Sequence, residues 1–286
     1  MTKTKKPITI AQILRLRTVS DPQPSPDGDA VVYAVNELRT KGKQYQSNLW
    51  LVSVAGGPAR QMTSSGNARE PRWSPKGEQL AFVARRGREK ARQIWVLPVD
   101  GGEAKPLTDV ATGVHGIDWA PDGRSLMFLS REPMGPQEQA LEKRGGIRVV
   151  DQFVRMTQVW RVDVETGLCR QLTRDRSTKT VACWSPDGEH IAFEQRQDPT
   201  SNQTYRAGLW LMDAQGRNKR RLSDRTCSAT SPQWAPDGAR ILFLRRDLSS
   251  YVGLTRLAVV AIDNDSPAQV LTQNLDRGVI EARWST

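Results

Sequence analysis

The stretch Cys183–Phe193, CWSPDGEHIAF, decides the fold, because the chain repeats it. It returns as RWSPKGEQLAF from Arg72, DWAPDGRSLMF from Asp118 and QWAPDGARILF from Gln233. PSPDGDAVVY, Pro24–Tyr33, is a copy without the Trp, and RWST, Arg283–Thr286, opens one more. The turn prolines Pro26, Pro75, Pro121, Pro186 and Pro236 lie 49, 46, 65 and 50 residues apart. Between them runs a second phrase: NLWLV around Trp50, QIWVL around Trp95, QVWRV around Trp160 and GLWLM around Trp210, reduced in the fifth repeat to RLAVV with Ala258 at the Trp position. A third phrase closes each repeat: ARQMT, AKPLT, CRQLT, KRRLS and AQVLT. All nine tryptophans fall in the first two phrases.

Ser-Pro-Asp-Gly is turn chemistry at each position. Ser accepts a local hydrogen bond, Pro presets φ, Asp tolerates the third place, and Gly supplies the freedom the exit needs. The flanks, such as HIAFEQ and RILFLRR, mix β-branched and aromatic residues with polar ones and read as strands. Each repeat therefore holds four strands. One ends in the first Trp, one follows the Gly, one carries the second Trp, and one ends in Leu-Thr or its variant. Four-stranded units of 45 to 50 residues bury both faces only when stacked beside copies of themselves, which predicts an all-β chain of β-propeller blades with Trp packed between them. The sequence holds five full repeats and the first strand of a sixth. The gap from Pro121 to Trp160 carries an insertion, at about 131–153, polar at first and ending in a candidate extra strand, IRVV.

The strands before the turns (NAREPRW, ATGVHGIDW, STKTVACW, SATSPQW) are rich in small and polar residues and are expected to be innermost. Arg69, Glu70, His115 and Lys179 are the groups expected to project from them into a wet axial tunnel, as solvated lining or as a binding site. Net charge is +11, but the basic clusters (TKTKK, ARRGREKAR, GRNKRR) are scattered and have no aromatic interleaving, which argues against a nucleic-acid partner. Three cysteines, with no CxxC pair, read as small buried fillers in a reducing compartment. The basic N-terminus lacks a continuous apolar stretch and no window approaches a membrane span, so the expectation is a cytoplasmic protein. No G-x-S-x-G, HExxH, P-loop or GxGxxG occurs. The two histidines, His115 and His190, have no partner motif, and DNDS at Asp263 reads as a turn. No catalytic residue, metal or cofactor is expected in this chain.

The leader TIAQILRLRTVSDPQPSPDGDAVVYAV, followed by these repeats and by RVVDQF in the third, resembles the start of the prolyl oligopeptidase family of serine peptidases, nearest its acylaminoacyl-peptidase branch. The resemblance covers the whole chain; TolB-type propellers share the repeats alone. It implies a leader with a short helix over 1–20 and a propeller over 21–286, part of a ring of seven blades. It also implies a C-terminal α/β-hydrolase domain as partner, carrying Ser, Asp and His, and short peptide substrates, N-acylated ones included, whose access the propeller gates. The reading is then of a fragment without the catalytic domain. A free-standing TolB-like interaction scaffold is the alternative, and an oligomer is left open.

Overall fold

Each turn phrase closes a hairpin through the same bonds. In the computed structural model the N–H of Gly28, Gly77, Gly123, Gly188 and Gly238 donates to the carbonyl three residues back, that of Ser25, Ser74, Ala120, Ser185 and Ala235, at 2.9–3.0 Å. Where the phrase begins with Ser, its hydroxyl also accepts the N–H of the first residue of the next strand, from Ala30, Gln79 and His190. The five turn glycines have φ between 69° and 80°, the left-handed region that a side chain resists. Gly77, Gly188 and Gly238 face the proline of the preceding turn, Pro26, Pro121 and Pro186, so the phrase also stacks on its neighbour.

The structure describes residues 8–39, 44–87, 89, 91–145, 152–200, 205–249, 253–263 and 267–284. They form two compact units, Met1–Pro106 and Leu107–Thr286. In the first, the short helix α1 (Ile10–Ile13), with a Thr9–Gln12 capping box, precedes sheet one: β1 (Thr18–Pro24), β2 (Ala30–Arg39), β3 (Gln44–Ser53) and β4 (Arg60–Gln61). Sheet two follows with β5 (Arg69–Trp73), β6 (Gln79–Ala84), β7 (Gln93–Pro98) and β8 (Lys105–Pro106). The second unit holds three sheets. Sheet three is β9 (His115–Trp119), β10 (Ser125–Arg131), β11 (Thr157–Asp163) and β12 (Cys169–Gln171), with helix α2 (Pro136–Lys143) between β10 and β11. Sheet four is β13 (Thr178–Trp184), β14 (His190–Arg196), β15 (Gly208–Asp213) and β16 (Arg220–Arg221). Sheet five is β17 (Cys227–Trp234), β18 (Arg240–Asp247), β19 (Arg256–Ala261) and β20 (Gln269–Val270). Every pairing within the sheets is antiparallel, so the expected four strands per repeat are present.

The expectations need three adjustments. The first strand starts at Thr18, inside the stretch read as leader. The insertion contains a helix, started by Pro136 at its first turn, where a polar loop was expected; IRVV, Ile147–Val150, lies outside the described residues. Gly278–Trp284, expected as the first strand of a sixth repeat, forms no strand. Its Trp284 nevertheless takes the position of the other first-phrase tryptophans.

Apolar side chains fill the space between consecutive sheets of each unit. Val32 and Leu49 meet Leu80, Phe82 and Leu97; Met127 and Val159 meet Trp184, Ile191 and Phe193; Leu209 and Leu211 meet Ile241, Phe243 and Val260. The aromatic ending each first phrase stands opposite the second-phrase Trp across the ladder: Tyr33 and Trp50, Phe82 and Trp95, Phe128 and Trp160, Phe193 and Trp210, with Phe243 facing Ala258 in the fifth sheet. The first-phrase Trp ties sheet to sheet by a polar bond as well. The indole N–H of Trp73 donates to Gln23 O at 3.0 Å, that of Trp234 to Cys183 O at 3.2 Å, and that of Trp284 to Gln233 O at 3.3 Å. Each acceptor lies one residue before the Trp position of the preceding repeat. The closing Thr or Ser of the third phrase serves the ladder too: Thr63, Thr173, Ser223 and Thr272 accept the N–H of Leu49, Val159, Leu209 and Leu257.

Two measurements check these roles. Trp184 has a buried indole N–H without a hydrogen-bond partner, unlike Trp234. Trp234→Phe is therefore expected to lower unfolding free energy by about 1–2 kcal/mol more than Trp184→Phe in denaturant titrations, since only the former orphans a carbonyl. Gly188→Ala forces a left-handed Ala at φ 73° whose Cβ sits 3.4 Å from Pro121, whereas Gly28, at φ 80°, has open space. Both should destabilise, by about 1–2 kcal/mol for the backbone alone, and Gly188→Ala by more.

Candidate functional site

The first strand of every sheet carries a register shift against its neighbour, a β-bulge absent from the sequence reading. In four of the five it coincides with a left-handed residue three places before the Trp position: Asp21 (φ 49°), Glu70 (φ 52°), Gly116 (φ 59°) and Ser231 (φ 56°). Val181 holds that place in β13 and stays out of the region, as a β-branched residue should. Bulges bend a strand and re-aim its side chains. The bulge carboxylate of Asp21 is thereby presented to Arg72, whose Nη1 donates to both carboxylate oxygens at 3.1 and 2.9 Å.

The four residues singled out from the sequence divide between the units. Arg69 and Glu70 open β5 at its bulge, Arg69 exposed and Glu70 half-buried. His115 opens β9, exposed, opposite Leu129. Lys179 departs from expectation: its ammonium is fully buried rather than solvated. It donates to Gln158 Oε1 at 3.2 Å, Ser177 O at 3.1 Å and Ser177 Oγ at 3.0 Å, and pairs with Asp175. Burial pushes the Lys179 ammonium below its ordinary value, against the raising effect of Asp175. Gln158, itself buried, joins the group by donating to Asp175 O and Glu132 Oε1 and accepting from Thr173. Lys179, on β13, is a buried ion held by partners from β11 and from the turn between β12 and β13. Sequence spacing does not show this, because Gln158 lies 21 residues away and only the packing of sheet three against sheet four brings it to Lys179.

Asp175 receives both Lys179 and Lys219. Burial acts to raise its pKa, but hydrogen bonds from Lys179, Lys219 and Ser177 outweigh that and hold the carboxyl at about 2. A carboxyl depressed in the fold stabilises it above the unfolded pKa of about 3.9, and the contribution fades as pH falls toward 2. Asp175→Asn is thus expected to cost about 1–2 kcal/mol near pH 7, allowing for the solvent that reaches the group. The gap between variant and wild type should narrow steadily between pH 5 and pH 2 in denaturant titrations.

Little else in the described residues is arranged for chemistry. Cys169 is exposed, contrary to the buried filler expected; Cys183 is half-buried and Cys227 buried, and burial raises the pKa of all three thiols. Asp187, Glu189 and His190, on the turn of sheet four, bring one ligand atom each within 4.8 Å of the others and could hold a cation. One oxygen of Asp187 is already engaged by the Ser185 hydroxyl and the Glu189 N–H. No helix of the described residues is long and apolar enough to cross a membrane. Asp263 is described, but the rest of DNDS lies outside the described residues.

No family model matches the chain. It is 27% identical over 227 residues to the peptidase YuxL of Bacillus subtilis, covering 73% of this chain and 34% of that protein. It is 23% identical over 221 residues to dipeptidyl-peptidase 5 of Porphyromonas gingivalis, covering 68% and 32%. The chain therefore spans about a third of the length of these curated relatives. Among solved structures it superposes on Pyrococcus horikoshii acylaminoacyl peptidase with a TM-score of 0.68 at 18% identity, over 93% of this chain and 41% of that one. The β-propeller domain of the Trilobed protease from Pyrococcus furiosus gives 0.63 at 18% identity, over 93% and 73%. A TolB protein from Agrobacterium tumefaciens gives 0.60 at 21%, over 89% and 80%. In sequence the chain is similar to peptidases, and in fold to the propellers of peptidases and to TolB, as its leader and SPDG repeats imply.

Proposed function

We propose that these 286 residues are the propeller part of a serine-type exopeptidase acting on short peptides, N-acylated ones included. In this reading the Ser, Asp and His that cleave lie on an α/β-hydrolase domain outside the sequence, the intact ring has seven blades, and the propeller admits only substrates that are short or unstructured. The protein works in the cytoplasm. The observation that carries the reading is the similarity to peptidases over most of this chain, in proteins of which it spans about a third. The leader adds physical support. Ile8, Ile10 and Leu16 are 65–77% exposed around α1, an apolar surface that calls for cover by further protein.

The TolB neighbour, of which this chain covers 80%, favours a second reading, a free-standing interaction propeller. One comparison separates them. The 286-residue chain should not release p-nitroaniline from acetyl-alanyl p-nitroanilide, whereas the protein extended through any reading frame beyond codon 286 should, with G-x-S-x-G in the added part and activity lost when its Ser becomes Ala. Hydrolysis by the short chain that a serine-directed inhibitor abolishes would overturn the reading. So would a natural stop after Thr286.

A further inference from the structure

Three arginines converge at one end of sheet two, and among the described residues none of their side chains is in ion-pair contact with a carboxylate, although Glu70 lies near Arg92 and Glu89 accepts the Arg86 backbone N–H at 3.0 Å. The ladder between β5 and β6 sets Arg69 against Val83, and the ladder between β6 and β7 ends at Ala84 and Gln93. The next residues outward, Arg85 and Arg92, stand across from each other one step beyond it. Arg69 lies one strand over. Arg92 is held below the ordinary guanidinium value first by burial and then by the positive charges of Arg69 and Arg85, with Glu70 opposing. Asn67 fixes the Arg85 backbone from both sides, accepting its N–H and donating to its carbonyl at 2.6 Å each. Next to it, the Arg86 guanidinium covers Trp95 at 4.6 Å and Phe82 at 5.3 Å, and its Nε is buried without a hydrogen-bond partner. Ser64, Ser65, Asn67, Arg85, Arg86 and Gly87 line an open polar depression at this end.

Among the described residues the side chains of Arg69, Arg85 and Arg92 make no ion pair or hydrogen bond, whereas Arg72, Arg196 and Arg245 are each matched by a carboxylate. Like charges on facing strands destabilise a sheet. A bound anion would offset that repulsion. Guanidinium forks fit carboxylates in paired hydrogen bonds. Three strands at about 4.8 Å spacing spread the charges over about 10 Å, room for one or two carboxylates. A nucleic acid would need a longer row of phosphate contacts, or aromatic faces on which bases stack, and Arg86 already covers the two rings at hand.

We propose that this end of sheet two is an anion site that binds the carboxylates of short peptides, with Arg85 and Arg92 as the clamp and Arg69, Arg86 and the Ser64–Ser65 hydroxyls around it. The choice of a peptide as ligand rests on the peptide-handling reading above; the anion site itself rests on the arginines. Calorimetric titration of the 286-residue chain tests it, using Ala-Ala-Ala with a free C-terminus, acetyl-Ala-Ala-Glu-amide and neutral acetyl-Ala-Ala-Gln-amide. At least one carboxylate peptide should bind tenfold or more tightly than the neutral one, and which of the two does so distinguishes a C-terminal from a side-chain carboxylate. Arg85→Gln/Arg92→Gln should lose that preference, as should the single variant Arg92→Glu if the double variant fails to fold, while Arg124→Gln, on an exposed turn, should retain it. Equal binding of neutral and charged peptides, unchanged binding by the variants, or tighter binding of a single-stranded oligonucleotide would overturn the proposal. Inorganic sulfate binding without peptide binding would overturn the peptide as ligand. No hydrolysis is read, so this result and the peptidase reading fail independently.

Discussion

A sheet of four strands whose two faces are both apolar cannot stand alone in water, and that constraint organises each unit of this chain. The faces are covered by neighbouring sheets, and the seams between them are filled by the largest side chains the sequence has. Burying one such side chain is worth about 1.5–3 kcal/mol, so each seam contributes far more than any surface ion pair. Phe82, Phe128, Phe193 and Phe243 are all but inaccessible to solvent. What makes the packing specific is polar. The indole N–H of Trp73 or Trp234 reaches the backbone of the preceding repeat, so the seam has a fixed register as well as a favourable area.

The turn phrase does more than reverse the chain. Its Ser hydroxyl takes the N–H that opens the next strand, its Asp draws in the residue after the Gly, and its Gly approaches the Pro of the turn before. Two repeats, beginning with Ala120 and Ala235, do without the hydroxyl and keep the same backbone bonds, which locates the indispensable part of the phrase in Pro and Gly. Function-bearing variation can therefore collect in the loops and at the strand ends without disturbing the wedge that each repeat contributes.

The repeats were legible because their determinants are local. SPDG is a turn by the dihedral preferences of its own residues, and alternation on either side of it gives strands whatever lies further off. The bulges were hidden because the left-handed place is filled by Asp21, Glu70, Gly116 and Ser231, four residues with no common sequence sign. Lys179 was misjudged for a related reason. A lysine on a polar strand looks solvent-facing until β11 and the turn before β13 enclose it with Gln158, Asp175 and Ser177. The arginine cluster in sheet two was visible only in part: Arg69 was singled out, but Arg85 and Arg92 join it through ladder register, which residue spacing alone does not supply.

The contrast between Lys179 and the three arginines bears on where this fold can bind anything. Both are positive charge brought together against repulsion or desolvation. At Lys179 the fold answers internally: carboxylate, amide and hydroxyl oxygens surround the ammonium, and nothing is left for an outside group. At the end of sheet two the answer is weaker: Glu70 lies near Arg92, but among the described residues no carboxylate pairs directly with Arg69, Arg85 or Arg92, as carboxylates pair with Arg72 and Arg196. A charge neutralised within the fold stabilises structure, and a charge without a direct ion pair at an open strand end keeps capacity for a ligand. By that criterion the binding proposed for this chain belongs to its strand ends, where the backbone is least regular, while the seams serve to hold those ends in place.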